Sequence, residues 1–94
     1  MPGRSGTTRR KDANHDEIAE ACRRIPAEVY SSAHVGGGFP DLLVCFRDRI
    51  VLLEVKMPGH GLTAAEARFA ERWPVRVVTT PEQAVAAVVE AARP

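Results

Sequence analysis

Gly36-Gly37-Gly38-Phe39-Pro40-Asp41-Leu42-Leu43-Val44, followed after a short gap by Ile50-Val51-Leu52-Leu53-Glu54-Val55-Lys56, decides how this chain is read. Leu42 to Phe46 and Ile50 to Val55 are apolar, β-branched runs of strand length, and Arg47-Asp48-Arg49 between them is a hairpin-sized gap. Such a pair is expected to be buried on both faces near its middle. The three glycines before it allow a sharp turn and a close backbone approach. Side chains alternate along a strand, so Glu54 and Lys56 share one face while Val55 points the other way. Asp41 enters the neighbouring strand at a point where it can face Glu54.

An acid and a lysine are costly on an apolar strand unless partners satisfy them. They could simply pair with each other or reach solvent at a sheet edge, with Pro40-Asp41 an ordinary turn. The glycine turn, the apolar surroundings and the hairpin gap favour a second reading, a site for a divalent cation and a phosphodiester. In it, Asp41 and Glu54 hold magnesium or manganese through carboxylate oxygens, and the Val55 backbone carbonyl completes the protein's share. Glu17, on a helix upstream, would add a ligand or contact a metal-bound water. Lys56 would orient the attacking water or stabilise charge developing on the phosphate. The catalytic set is therefore Asp41, Glu54, Lys56 and Glu17.

Working outward, Ile18, Ala19, Ala21, Cys22 and Ile25 recur at helical spacing from Asn14 to about Arg24, with Asp12 or Asn14 as the cap and Pro26 as the stop. Glu28 to His34 reads as an edge strand. Thr63 caps a helix to about Arg72, and Glu66 completes a capping box. Trp73-Pro74 ends that helix, Val75 to Val78 is a short strand, and Pro81 opens a last helix reaching Ala92. The expected fold is α/β, a small mixed sheet of about four strands flanked by helices in the order α-β-β-β-α-β-α. Phe69 and Trp73 are expected in the core. Val85, Val88 and Val89 on the last helix either pack against the sheet or form a dimer surface.

Ninety-four residues make one domain. We place it at residues 12–94, after a basic tail, 1–11, in which Arg4, Arg9, Arg10 and Lys11 stand among Gly, Ser, Thr and Pro. Such a tail is expected to be flexible; it either neutralises phosphates or only aids solubility. The net charge of +1 does not by itself mark a nucleic-acid binder. Two cysteines, Cys22 and Cys45, read as buried free thiols. No run reaches transmembrane length and the start lacks a hydrophobic signal core, so a soluble, cytoplasmic protein without membrane contact is expected. His15, His34 and His60 share no zinc-ligand spacing. Arg47, Arg49 and Arg68 are candidate contacts to a DNA backbone, or ordinary solvated arginines. Neither a Gly-rich phosphate loop before a helix nor a serine or cysteine triad competes for the function, and no organic cofactor is implied.

From Lys11 to about Ala84 the chain resembles the virus-type replication-repair nuclease (VRR-NUC) family, small stand-alone bacterial or phage type, within the PD-(D/E)xK restriction-endonuclease-like superfamily. Asn14-His15-Asp16-Glu17-Ile18, Gly36 to Val44, Leu53-Glu54-Val55-Lys56, Leu62-Thr63 with Phe69, and Val75 to Val78 carry the likeness. The resemblance implies a restriction-endonuclease-like core and a metal site at Glu17, Asp41, Glu54 and Lys56. It also implies magnesium- or manganese-dependent endonucleolytic cleavage of DNA, with Holliday-junction resolvase-like selectivity, a place in DNA repair and a homodimer. Two positions depart from the family pattern. His15 stands where glutamine is usual, and Glu66 stands where a glutamine follows the Leu-Thr pair. An added negative charge at Glu66 would weaken phosphate binding, unless Glu66 is only the capping-box residue. The alternative function is a branched-DNA-binding module that kept the fold and lost catalysis.

Overall fold

A computed structural model describes residues 13–93; the basic tail and Asp12 lie outside the described residues. The elements are α1 (His15–Arg23), β1 (Glu28–Ser31), β2 (Leu42–Phe46), β3 (Arg49–Val55), α2 (Ala64–Arg72), β4 (Val75–Val78) and α3 (Pro81–Ala91). They form a mixed α/β fold with a four-stranded sheet in the order β1-β2-β3-β4. The first three strands are an antiparallel meander, and β4 is parallel to β3, reached through α2.

The β2–β3 hairpin turns at Arg47 and Asp48, whose φ angles of 50° and 67° lie in the left-handed region. A two-residue turn of that kind matches the twist of its strands. The Arg47 guanidinium rests over the Phe46 ring, 5.0 Å from its centre. Leu42, Val44 and Phe46 of β2 and Val51, Leu53 and Val55 of β3 point to one face. Ile18 and Cys22 of α1 and Ala84 and Val88 of α3 close the core over that face. Val88 thus belongs to the core, while Val85 and Val89 remain half-buried and exposed. Burial pushes the Cys22 thiol above its usual range, and both cysteines are free, Cys45 only half-buried.

The other face of the sheet corrects the expectation of a hairpin buried on both sides. Leu43 and Leu52 are half-covered, and Tyr30, Ile50 and Val77 are exposed. The reason is the position of α2, which has no buried residue. It stands beside the loop before β2, where the Phe39 and Phe69 rings meet edge to face at 5.3 Å. Thr63 and Glu66 form the expected capping box. Trp73, expected in the core, is 53% exposed. It sits at the end of a helix that covers a loop rather than the sheet.

Gly38 makes this packing possible. Its φ is +87°, and a Cβ there would collide with the Ala65 carbonyl, whose carbon would lie at 2.6 Å. Gly59 has nearly the same φ, +86°, in open space. Gly38→Ala is therefore expected to cost more than about 2 kcal/mol, combining left-handed backbone strain with displacement of α2, and Gly59→Ala only about 1 kcal/mol. Urea melts of both variants check this; equal losses would contradict the contact.

Candidate active site

The antiparallel register pairs Leu42 with Leu53. One step further toward the open end of the hairpin, Asp41 comes opposite Glu54. A hydrogen bond closes that end: the Val55 amide donates to Asp41 Oδ2 at 2.9 Å. A strand residue's N–H and C=O point to the same side. The Val55 carbonyl is therefore directed toward Asp41, while the Lys56 amide donates to the Val78 carbonyl of β4 at 3.0 Å. Asp41 is held from behind as well. The Ser32 hydroxyl donates to the Pro40 carbonyl at 2.6 Å, and the Ser32 amide donates to the Asp41 carbonyl at 2.8 Å.

Glu54 and Lys56 project from the outer face, at 4% and 14% side-chain exposure. The Lys56 ammonium lies 3.6 Å from Glu54 Oε2, beyond a hydrogen bond, and 2.8 Å from Glu66 Oε1. Glu66 therefore holds the lysine. The same Glu66 oxygen accepts the Thr63 amide at 2.8 Å, so the capping box and the lysine share one acceptor. The capping-box reading of Glu66 holds, and the same residue also stands in the acid cluster beside Lys56 and Glu54.

The electrostatics follow from crowding. Burial pushes the Glu54 carboxyl up to about 8, reinforced by the neighbouring charges of Asp41 and Glu66 and by hydrogen bonds to them. Burial would raise Glu66 too, but hydrogen bonds from the Lys56 ammonium and the Thr63 amide outweigh it and hold Glu66 below the usual range. A carboxyl held toward its protonated form by burial, and further by two adjoining anions, is an environment that a divalent cation would relieve. The hard oxygens of Asp41, Glu54 and the Val55 carbonyl fit magnesium or manganese, which retain several waters. Among the described residues no group of three His, Cys, Asp or Glu side chains is arranged to hold a metal, so the fit rests on two carboxylates and a carbonyl.

Glu17 is not brought into this cluster. It is exposed on α1, and no hydrogen bond or ion pair joins it to Asp41, Glu54 or Lys56. Its helix nonetheless begins at the site's edge. Asn14 occupies the cap position without a side-chain cap bond. Its Nδ2 instead donates to the carbonyls of Lys56, at 3.2 Å, and Thr79, at 2.6 Å. Asn14 and Ser32 are the positioning residues that sequence reasoning missed. An asparagine before a helix signals a cap, and nothing marks Ser32 as facing Pro40 before the strands are paired. His15, the other unusual position, is buried with Nε2 unpartnered, and His34 and His60 are exposed.

Comparison with protein-family models, with characterised proteins and with solved structures found no match. No helix among the described residues is long and apolar enough to cross a membrane.

The raised Glu54 carboxyl gives a stability prediction. Between its ordinary value of 4.5 and about 8, the folded state binds more protons than the unfolded state. Stability is then full below the lower value and falls as pH rises toward the upper one, with a slope of at most about 1.4 kcal/mol per pH unit. Metal-free protein should melt at a lower temperature near pH 8 than at about pH 5.5, and Glu54→Gln should flatten the difference. Superimposed melts for the wild-type protein would refute the assignment.

Proposed function

We propose that the chain is a metal-dependent DNA endonuclease with a restriction-endonuclease-like core, as its resemblance to the virus-type replication-repair nucleases implies. The observation that carries this reading is the meeting of Asp41, Glu54 and Lys56 at one end of the β2–β3 hairpin, with Glu54 crowded into keeping its proton. Lone structural ion pairs do not need a second carboxylate opposed to the first.

In this reading Asp41 and Glu54 hold magnesium or manganese together with the Val55 carbonyl. The ion, once bound, would acidify a water and neutralise the scissile phosphate. Glu54 gives up its proton on binding. Lys56, still charged, is the group positioned to orient the attacking water or to stabilise charge on the phosphate oxygens. Glu17, on the helix whose cap residue Asn14 bonds the Lys56 carbonyl, is the outer candidate for a metal-bound water. Cleavage leaves a nicked backbone. Junction resolution requires two symmetric nicks, hence a twofold dimer. The strip of half-buried Val85 and exposed Val89 beside α1 is the surface we assign to it. The competing reading, a branched-DNA-binding module without catalysis, draws support from Glu66, which occupies the lysine in this structure.

Labelled four-way junction and matched linear duplex, incubated with magnesium, manganese or chelator, test the proposal. Metal-dependent nicking by the wild type is expected, with a loss of at least about a hundredfold in Lys56→Ala, the scale set by removal of one transition-state donor. The junction-to-duplex ratio separates a resolvase from a general endonuclease. Junction binding without cutting in any metal would establish the non-catalytic module instead. Sedimentation at micromolar concentration should show a dimer, and monomer alone would remove the paired-nick mechanism.

A further inference from the structure

A cavity of about 280 Å³ opens between α2 and the glycine loop, lined by Gly37, Ala65, Arg68, Phe69, Arg72 and Trp73. Trp73 is the chain's single tryptophan and is half exposed. Arg68 and Arg72 lie four residues apart on one face of α2, both exposed. Neither joins an ion pair with a described residue. Like charges at that spacing weaken a helix unless something neutralises them. An indole face beside two unpaired guanidiniums is the chemistry that receives a base on the ring and phosphates on the cations.

The cavity is also close to the acid cluster. Ala65 lines it, and the next residue, Glu66, holds Lys56. From Glu66 to Arg72 the helix advances about 9 Å at 1.5 Å per residue. That span is about three nucleotides or fewer at a stacked rise of 3.4 Å. Gly37, with a φ of +66° and nothing within 4 Å of a Cβ placed on it, leaves the loop side of the cavity open.

We propose that this cavity is a subsite for an unpaired nucleotide of the DNA substrate, stacked on Trp73 with its phosphates on Arg68 and Arg72. The inference rests on the reading above that the substrate is DNA, and it narrows that substrate to DNA with single-stranded or extruded bases near the cut. Fully paired duplex keeps its bases stacked and cannot offer one to the ring without an unstacking cost.

The test is made in chelator, where metal-dependent cleavage plays no part. Tryptophan fluorescence of the wild-type chain, titrated with a short thymidine oligonucleotide, reports Trp73 alone. Saturable quenching by the single strand is expected, and much weaker quenching by a blunt hairpin duplex of equal charge. By anisotropy of labelled single strand, Trp73→Phe should keep its affinity and Trp73→Ala should lose about tenfold. Arg68→Ala and Arg72→Ala should each reduce the salt dependence by about one phosphate contact. Absence of quenching, equal quenching by blunt duplex, or unchanged affinity in a folded Trp73→Ala would overturn the proposal. Should Trp73→Ala not fold, the wild-type titration and the arginine variants still decide. A wild type that passes this test yet never cuts in magnesium or manganese would refute the nuclease reading and leave the subsite standing.

Discussion

The hydrogen bond from the Val55 amide to Asp41 Oδ2 is the constraint on which the rest of the site depends. It ties the entrance of β2 to the end of β3 where the ladder would otherwise fray, and it holds the Asp41 carboxylate opposite Glu54. Ser32 supports it from the far side by fastening both carbonyls of the Pro40-Asp41 pair. Once Asp41 is fixed there, two carboxylates must share one end of the hairpin, with Glu54 buried. The fold accommodates them by leaving a proton on Glu54 and by giving Lys56 a nearer partner in Glu66. Hydrogen bonds to a charged acceptor are among the stronger ones in proteins, so this small lock can maintain an unfavourable charge arrangement.

That arrangement is what binding of a cation would use. A site whose carboxylates were already satisfied by arginines would give a divalent ion little to gain. Here the ion would displace a proton and relieve repulsion at once, so affinity and pH are coupled through the same residue. Desolvation works in two directions: it raises the cost of the bare acids and strengthens their attraction for a counter-ion.

Much of the fold was legible because several local signals agreed. The alternation and gap in the hairpin, the Thr63-Glu66 box and the Pro81 start all specify short-range structure, and each element stands within a few residues of its expected position. The juxtaposition of Asp41 and Glu54 was legible too, since pairing two strands across a short gap leaves few registers. What failed were the placement of Glu17, which stays exposed on α1, and the features set by where α2 sits. Its sequence predicts a helix but not the surface it covers, so Trp73 and Phe69 were expected in a core that this helix does not enter, and the outer sheet face was expected to be buried. Asn14 misled for a different reason. The residue type that caps a helix is equally suited to bridging two carbonyls, and only the neighbouring strand ends, at Lys56 and Thr79, select the second use.

Glu66 shows how closely helix capping and site chemistry are joined in so small a protein. One carboxylate oxygen accepts the amide that starts α2 and the ammonium of Lys56. Anything that draws Lys56 away, such as a phosphate, leaves Glu66 to the cap alone, which remains intact through Thr63. Anything that unwinds the first turn of α2 frees Glu66 from the cap and lets it follow the lysine. A glutamine at this position could cap in the same way but would carry no charge to hold Lys56. The glutamate therefore stores the lysine in a defined place and at the same time adds an anion next to Asp41 and Glu54. This group, the Phe39–Phe69 contact and the Gly38–Ala65 approach fasten α2, so the seating of the helix and the charge of the cluster share one residue.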